Sequence, residues 1–333
     1  MESHAAPLPH PPEAAPSGQA AGPAAQAAAW RRARQRWASG TALPWLHQEV
    51  ARRMAERLSV IRATPAVVVE WDARVGQSQA LLQTAYPHST WEAVEEGAAA
   101  SGVLASPGHR TGAAAGARSG WRARLQRLFQ PPAGPAAPVP RAWAPETLPK
   151  GRAQLLWSNL GLHTHANPLG VLQQWHAALA VDGFLMFSTF GPDTLKEWRR
   201  LWAECGWGPP AQAFRDMHDW GDELVAVGFA DPVMDQETMT LTWRDADAAF
   251  AELRTMGGNA HPARAPGCRT PRWRDRLKGV LHERAGPDGR IALSFEVVYG
   301  HAFRPAPRAR MEPVTAVSLD EMRSLVRSAR RTD

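Results

Sequence analysis

The sequence predicts an α/β fold built on a mostly parallel sheet with helices on both faces, and three features predict it. Short apolar runs of strand length alternate with stretches whose apolar residues recur at helical spacing. One of them, 66–71, is an apolar run suited to a strand buried on both sides. Gly, Pro and Asp punctuate the joins, and units of this length close through right-handed crossovers.

The elements follow in order. PWLHQEVARRMAERLSVI (44–61) sets Val50, Met54, Leu58 and Ile61 on one helical face, and AVVVEW (66–71) is a buried strand. QSQALLQTAY (77–86) is a short helix, STWEAV (89–94) a second strand and QLLWSNL (154–160) a further one. LGVLQQWHAALA (169–180) is helical, and the turn Asp182-Gly183 leads into the strand GFLMFSTF (183–190). GPDTLKEWRRLWAEC opens with Pro192 and Asp193 as helix-start residues, with Leu195, Trp198, Leu201 and Trp202 as its apolar face. That tryptophan-rich stretch is read as core and lid. MHDWGDELVAVGFADP takes Asp219 as N-cap and Gly228 as stop. MTLTW (239–243) and IALSFEVVYGHAF (291–303) are strands after the last helix, which predicts an antiparallel edge.

Composition bounds the rest. The chain has 333 residues, 44% of them hydrophobic, enough for one sizeable domain with appendages. Residues 1–28 are Ala, Pro and Gly with few large apolar groups and are expected to be disordered. A low-complexity insertion over 97–140 interrupts a domain spanning 29–304, and 305–333 form a basic tail. Within the insertion WRARLQRLFQ (121–130) is helical, either docked on its own domain or offering a basic face to an acidic carrier protein or a membrane. No apolar run approaches the ~18 residues of a membrane span. The start of the chain lacks the pattern of a secretory signal, so a cytoplasmic location is expected. A net charge of +6 with a pI of about 10.1 falls short of a dedicated nucleic-acid binder. Cys205 and Cys268 stand alone, so neither a disulfide framework nor a metal site is expected. The chain is expected to work as a monomer.

Sheets of this kind bind ligands beyond the carboxyl ends of their strands, where the strand order reverses. Two loops carry suitable chemistry. VVVEWDARVGQS (67–78) runs from a strand through a turn with one glycine, Gly76, into a helix. Strand STWEAV ends at Glu95 and Glu96, where a carboxylate can accept both hydroxyls of a ribose.

The segments LHQEVARRMAERLSVIRATPAVVVEW, LLWSNLGLHTHANPLGVLQQWHAALAVDGFLMFSTFGPDTLKEWR, MHDWGDELVAVGFADPVMDQETMTLTW and LSFEVVYGHAF resemble the class I S-adenosylmethionine-dependent methyltransferases of biotin synthesis. Those enzymes methylate the free carboxyl of malonyl-acyl carrier protein. Their relatives that assist respiratory complex I assembly share the pattern. The resemblance covers most of 44–304 apart from the insertion, and FSTFGPDTLKE with MHDWGD is its most distinctive part. It implies a Rossmann-like sheet of about seven strands and S-adenosylmethionine as cofactor. It also implies an acyl carrier protein-linked substrate entering under a lid made by the N-terminal helix and the segment after strand 5.

Carried over by position, the resemblance places the acidic residue of strand 1 at Glu70, the cofactor loop at Asp72, Arg74 and Gly76, the ribose carboxylate at Glu95, and Ser158 with Asn159 after strand 4. Asp72 and Arg74 stand where the family has glycine, and Ala144 where it has the aspartate that bonds adenine. Arg74 is a candidate partner for the cofactor carboxylate. Leu162-His163-Thr164-His165 stands where many relatives have an aromatic; Asn159 and His163 are the candidate catalytic residues beside the transferred methyl group. The alternatives are a polar strand end that satisfies backbone groups and a pair of loop histidines. Two functions remain open: methyl transfer to malonyl-acyl carrier protein, or a weakened or inactive methyltransferase-like protein that binds or assembles, with an eroded cofactor loop.

Overall fold

The computed structural model describes residues 23–39, 44–96, 141–265, 267 and 269–307. The predicted insertion, its helix over 121–130, residues 1–22, Cys268 and the tail from 308 lie outside the described residues.

Seven strands, β1 (Val67–Trp71), β2 (Thr90–Val94), β3 (Arg141–Trp143), β4 (Ala153–Ser158), β5 (Leu179–Phe190), β6 (Ala230–Trp243) and β7 (Ile291–Phe303), form one sheet. Their order is β3-β2-β1-β4-β5-β7-β6, with β1 to β5 parallel and β7 antiparallel to both of its neighbours. This is the class I methyltransferase sheet, and its order reverses between β1 and β4. The last two strands give the sheet the expected antiparallel edge, with β6 outermost and β7 between it and β5. β6 is also far longer than the predicted 239–243, because its first half is a polar edge whose Asp235 and Glu237 face Arg57 and Arg53 rather than a core.

The helices are α1 (Pro23–Ser39), α2 (Trp45–Glu56), α3 (Ala73–Gly76), α4 (Gln79–Ala85), α5 (Pro168–Ala178), α6 (Lys196–Glu204), α7 (Met217–Val227), α8 (Ala246–Thr255) and α9 (Pro271–Glu283). α1 starts at Pro23, inside the segment expected to lack structure. It forms because Trp30 and Ala33 find a buried surface on the rest of the chain, which composition alone does not reveal. α8 and α9 were not anticipated between the last two strands. Each has a local cap: the side chains of Asp245 and Thr270 accept from Ala248 N and Trp273 N. The cap of α7 is Asp216 rather than Asp219, which lies in the first turn, while Gly228 ends the helix with φ 110° as predicted. Pro192 and Asp193 form a turn before α6 instead of starting it.

Two cores cover the sheet. On one face Leu46, Val50 and Met54 of α2 pack with Trp198, Leu201 and Trp202 of α6 and with α8 and α9. On the other, Leu172 and Trp175 of α5 pack with Trp220 and Leu224 of α7. Inside the sheet Phe187 of β5 lies opposite Gly300 of β7, where an added Cβ would fall 2.1 Å from the ring.

Candidate active site

The strand reversal places the loop after β1 between the ends of β2 and β4. Glu70 is fully buried; its Oε1 accepts from Ser78 N at 2.7 Å, while Oε2 has no partner among the described residues. Burial pushes its carboxyl up to about 8. Asp72 enters the left-handed region with φ 55°, a conformation glycine adopts freely. Val75 N and Gly76 N return to Asp72 O at 2.8 and 2.9 Å, and Gln77 N returns to Ala73 O at 2.8 Å. The loop is therefore one compact helical turn. A Cβ at Gly76 would lie 2.9 Å from Glu70 Oε1, so glycine is required at that point.

Asp72 is buried and its Oδ2 meets His165 Nε2 at 2.6 Å. Burial raises the Asp72 carboxyl, but His165 and Arg34 outweigh it and hold the group below its ordinary range. Glu95 Oε1 accepts from Arg74 N at 2.6 Å. Burial, then the charge of Asp72, raise the Glu95 carboxyl to about 7. Arg74 thus bonds Glu95 through its backbone, and its side chain is exposed.

Ser158 ends β4, buried, with its Oγ lacking a partner among the described residues. Asn159 is fully buried and its amide is taken on both ends: Nδ2 donates to His47 O and Gly76 O at 2.9 and 3.1 Å, and Oδ1 accepts from Ser188 Oγ at 2.9 Å. It clamps α2, the loop after β1 and β5 together. Ala144 follows β3, its N–H donating to Thr147 Oγ1 at 3.1 Å. His163 and His165 part company, since His163 points among aromatic rings. Its ring lies 4.8 Å from Phe190, 5.5 Å from Trp30 and 5.6 Å from Phe214. Burial first, then nearby cationic groups, lower its pKa to about 3, so the ring is neutral. Among the described residues no group of three metal-ligating side chains gathers.

α1 closes this end of the molecule, a role that sequence reasoning did not assign to particular residues. Trp30 Nε1 donates to Gln212 Oε1 at 2.9 Å, and Gln212 Nε2 donates to His163 O at 3.1 Å. Arg34 bonds Thr164 O at 2.8 Å and pairs with Glu96 at 2.6 Å. A cavity of about 500 Å³ is walled by Trp30, His163, Phe190, Trp198, Phe214 and Trp273, among others. His163 is the only sequence-predicted site residue on that wall. The tryptophans of α6 hinted at this space; the partners from Phe250 to Leu277 had no local signal. No helix among the described residues is long and apolar enough to cross a membrane.

No protein-family model matches the chain. It is 37% identical over 284 residues to malonyl-(acyl-carrier protein) O-methyltransferase of Laribacter hongkongensis, covering 84% of this chain and 88% of that one. It is 34% identical over 271 residues to the enzyme of the same name from Gallionella capsiferriformans, covering 80% and 87%. Among solved structures, 1,6-didemethyltoxoflavin-N1-methyltransferase of Burkholderia thailandensis is 17% identical with a TM-score of 0.42, covering 90% and 94%. Identity at this level, sustained over most of both partners, means that the chain belongs to the malonyl-(acyl-carrier protein) O-methyltransferase family.

Proposed function

We propose that this protein transfers the methyl group of S-adenosylmethionine to the free carboxyl of malonyl-acyl carrier protein in biotin synthesis, as a cytoplasmic monomer. The observation that supports the reading is that one short segment, 162–165, gives His165 to Asp72 of the loop after β1 and His163 to the wall of an aromatic cavity with no Asp or Glu among its described lining residues.

The residues present fit the cofactor. Glu70 Oε2 and Ser158 Oγ are buried with no partner among the described residues, and Glu95 reaches the same loop by accepting from Arg74 N. Glu95 would accept the ribose hydroxyls, and the turn from Asp72 to Gly76 would face the methionine part. When bound, S-adenosylmethionine supplies a methyl group already activated on a sulfonium. The acceptor carboxylate is its own nucleophile, so no side chain has to move a proton. The protein contributes position and exclusion of water. Asn159 acts here by holding the loop against β5, and neutral His163 by forming the wall between cofactor and acceptor.

A binding or assembly role is favoured by one observation, the Asp72–His165 pair that replaces open backbone in the loop. Calorimetry with S-adenosylmethionine separates the two readings. Submillimolar binding lost in Glu95→Ala supports the enzyme, and no binding by folded protein sinks it. Rescue of a biotin-requiring strain then tests the acceptor.

A further inference from the structure

We infer that Arg264 is the specificity-determining residue for the acceptor, engaging the free carboxylate of a dicarboxylic acyl thioester inside the aromatic cavity. The inference rests on the methyl-transfer reading and names the residue that recognises its substrate. Arg264 lines the cavity, and its Nη1 is buried with no partner among the described residues. A buried donor on a cation is costly to leave unpaired. Among the described residues the cavity wall contains four arginines and no carboxylate. The other three differ: Arg274 pairs with Asp247, Arg269 donates to Trp207 O while lying over Trp273, and Arg254 is exposed to solvent.

The loop that carries Arg264 is held in place. Asn259 Nδ2 donates to Pro209 O at 2.8 Å, His261 N to Asn259 Oδ1 at 2.8 Å, and Arg264 N to His261 O at 3.1 Å. Ala260 packs with Trp30 of α1 and Val75 of the loop after β1, so this loop links the cavity wall to that loop. An aromatic wall with a buried guanidinium donor that lacks a partner suits an otherwise uncharged acyl thioester that is anionic at its tip. A guanidinium fork matches a carboxylate in both charge and shape.

The test is binding of malonyl-pantetheine and of acetyl-pantetheine, which lacks the carboxylate, to wild type, Arg264→Met and Arg264→Lys. Binding of S-adenosylhomocysteine to each protein reports folding and the cofactor site. Wild type should prefer the malonyl compound by about 10-fold or more, a preference lost in Arg264→Met and partly kept in Arg264→Lys. Equal preference in wild type and Arg264→Met overturns the inference, as does absence of any preference in wild type. Weakened S-adenosylhomocysteine binding in a folded Arg264→Met also overturns it, assigning the guanidinium to the cofactor's own carboxylate. Failure of methyl transfer by wild type, with the malonyl preference intact, would count against the proposed reaction and leave Arg264 as the carboxylate site.

Discussion

Asp72 and His165 stand 93 residues apart and meet at 2.6 Å. Asp72 holds a left-handed conformation with φ 55°, and His165 lies in the segment after β4. One brings a buried carboxylate and the other supplies a partner for it.

His165→Ala should therefore cost more than Asp72→Gly. The first leaves a buried carboxylate without its nearest partner, a loss of about 3 kcal/mol. The second removes the carboxylate together with about 1 kcal/mol of left-handed strain, so its net change should stay within about 1 kcal/mol. Denaturant unfolding of both variants measures this, and equal losses would contradict the coupling.

Stability should fall as pH rises through the neutral range. Burial raises Glu70 from its ordinary 4.5 to about 8 and Glu95 to about 7, so the folded chain holds these protons more tightly than the unfolded one. Their contribution is full below the ordinary carboxylate range and lost as pH passes the raised values. Melting temperatures across pH should show the decline, and Glu70→Gln should flatten it.

Cofactor affinity should run the other way. Hydroxyl donors favour the ionised form of Glu95, so S-adenosylhomocysteine should bind more tightly as pH rises past about 7. Glu95→Gln should weaken binding about 10-fold and remove the rise. Titration calorimetry at several pH values decides the matter.

Trp30→Ala should impair use of the acceptor more than binding of the cofactor, since the indole walls the cavity and anchors Gln212. An increase in KM for the malonyl thioester of about 10-fold, with cofactor affinity within about 2-fold, is the expected split. A matched loss of both would place Trp30 in the fold alone.

Gly300→Ala should destabilise by about 3 kcal/mol, because its Cβ would meet the fully buried Phe187 ring at 2.1 Å and the ring has no free space to enter. Restoration by Phe187→Leu in the double variant would confirm the cause.

The sequence by itself determined the strands over 67–71, 90–94 and 291–303, the helix at Val50 and Met54, and the turn after β1 that holds Gly76. Each of these is written in local periodicity or in a turn residue, which act over a few positions. Tertiary structure alone decided the length of β6, the place of β7 inside the sheet, and the ordering of α1. It also decided that Asn159 spends its amide on three neighbours, that Arg74 works through its backbone, and that Asp72 has a partner. These depend on which surfaces meet across the sheet, and no short stretch of sequence encodes the charge or shape of what will lie opposite it.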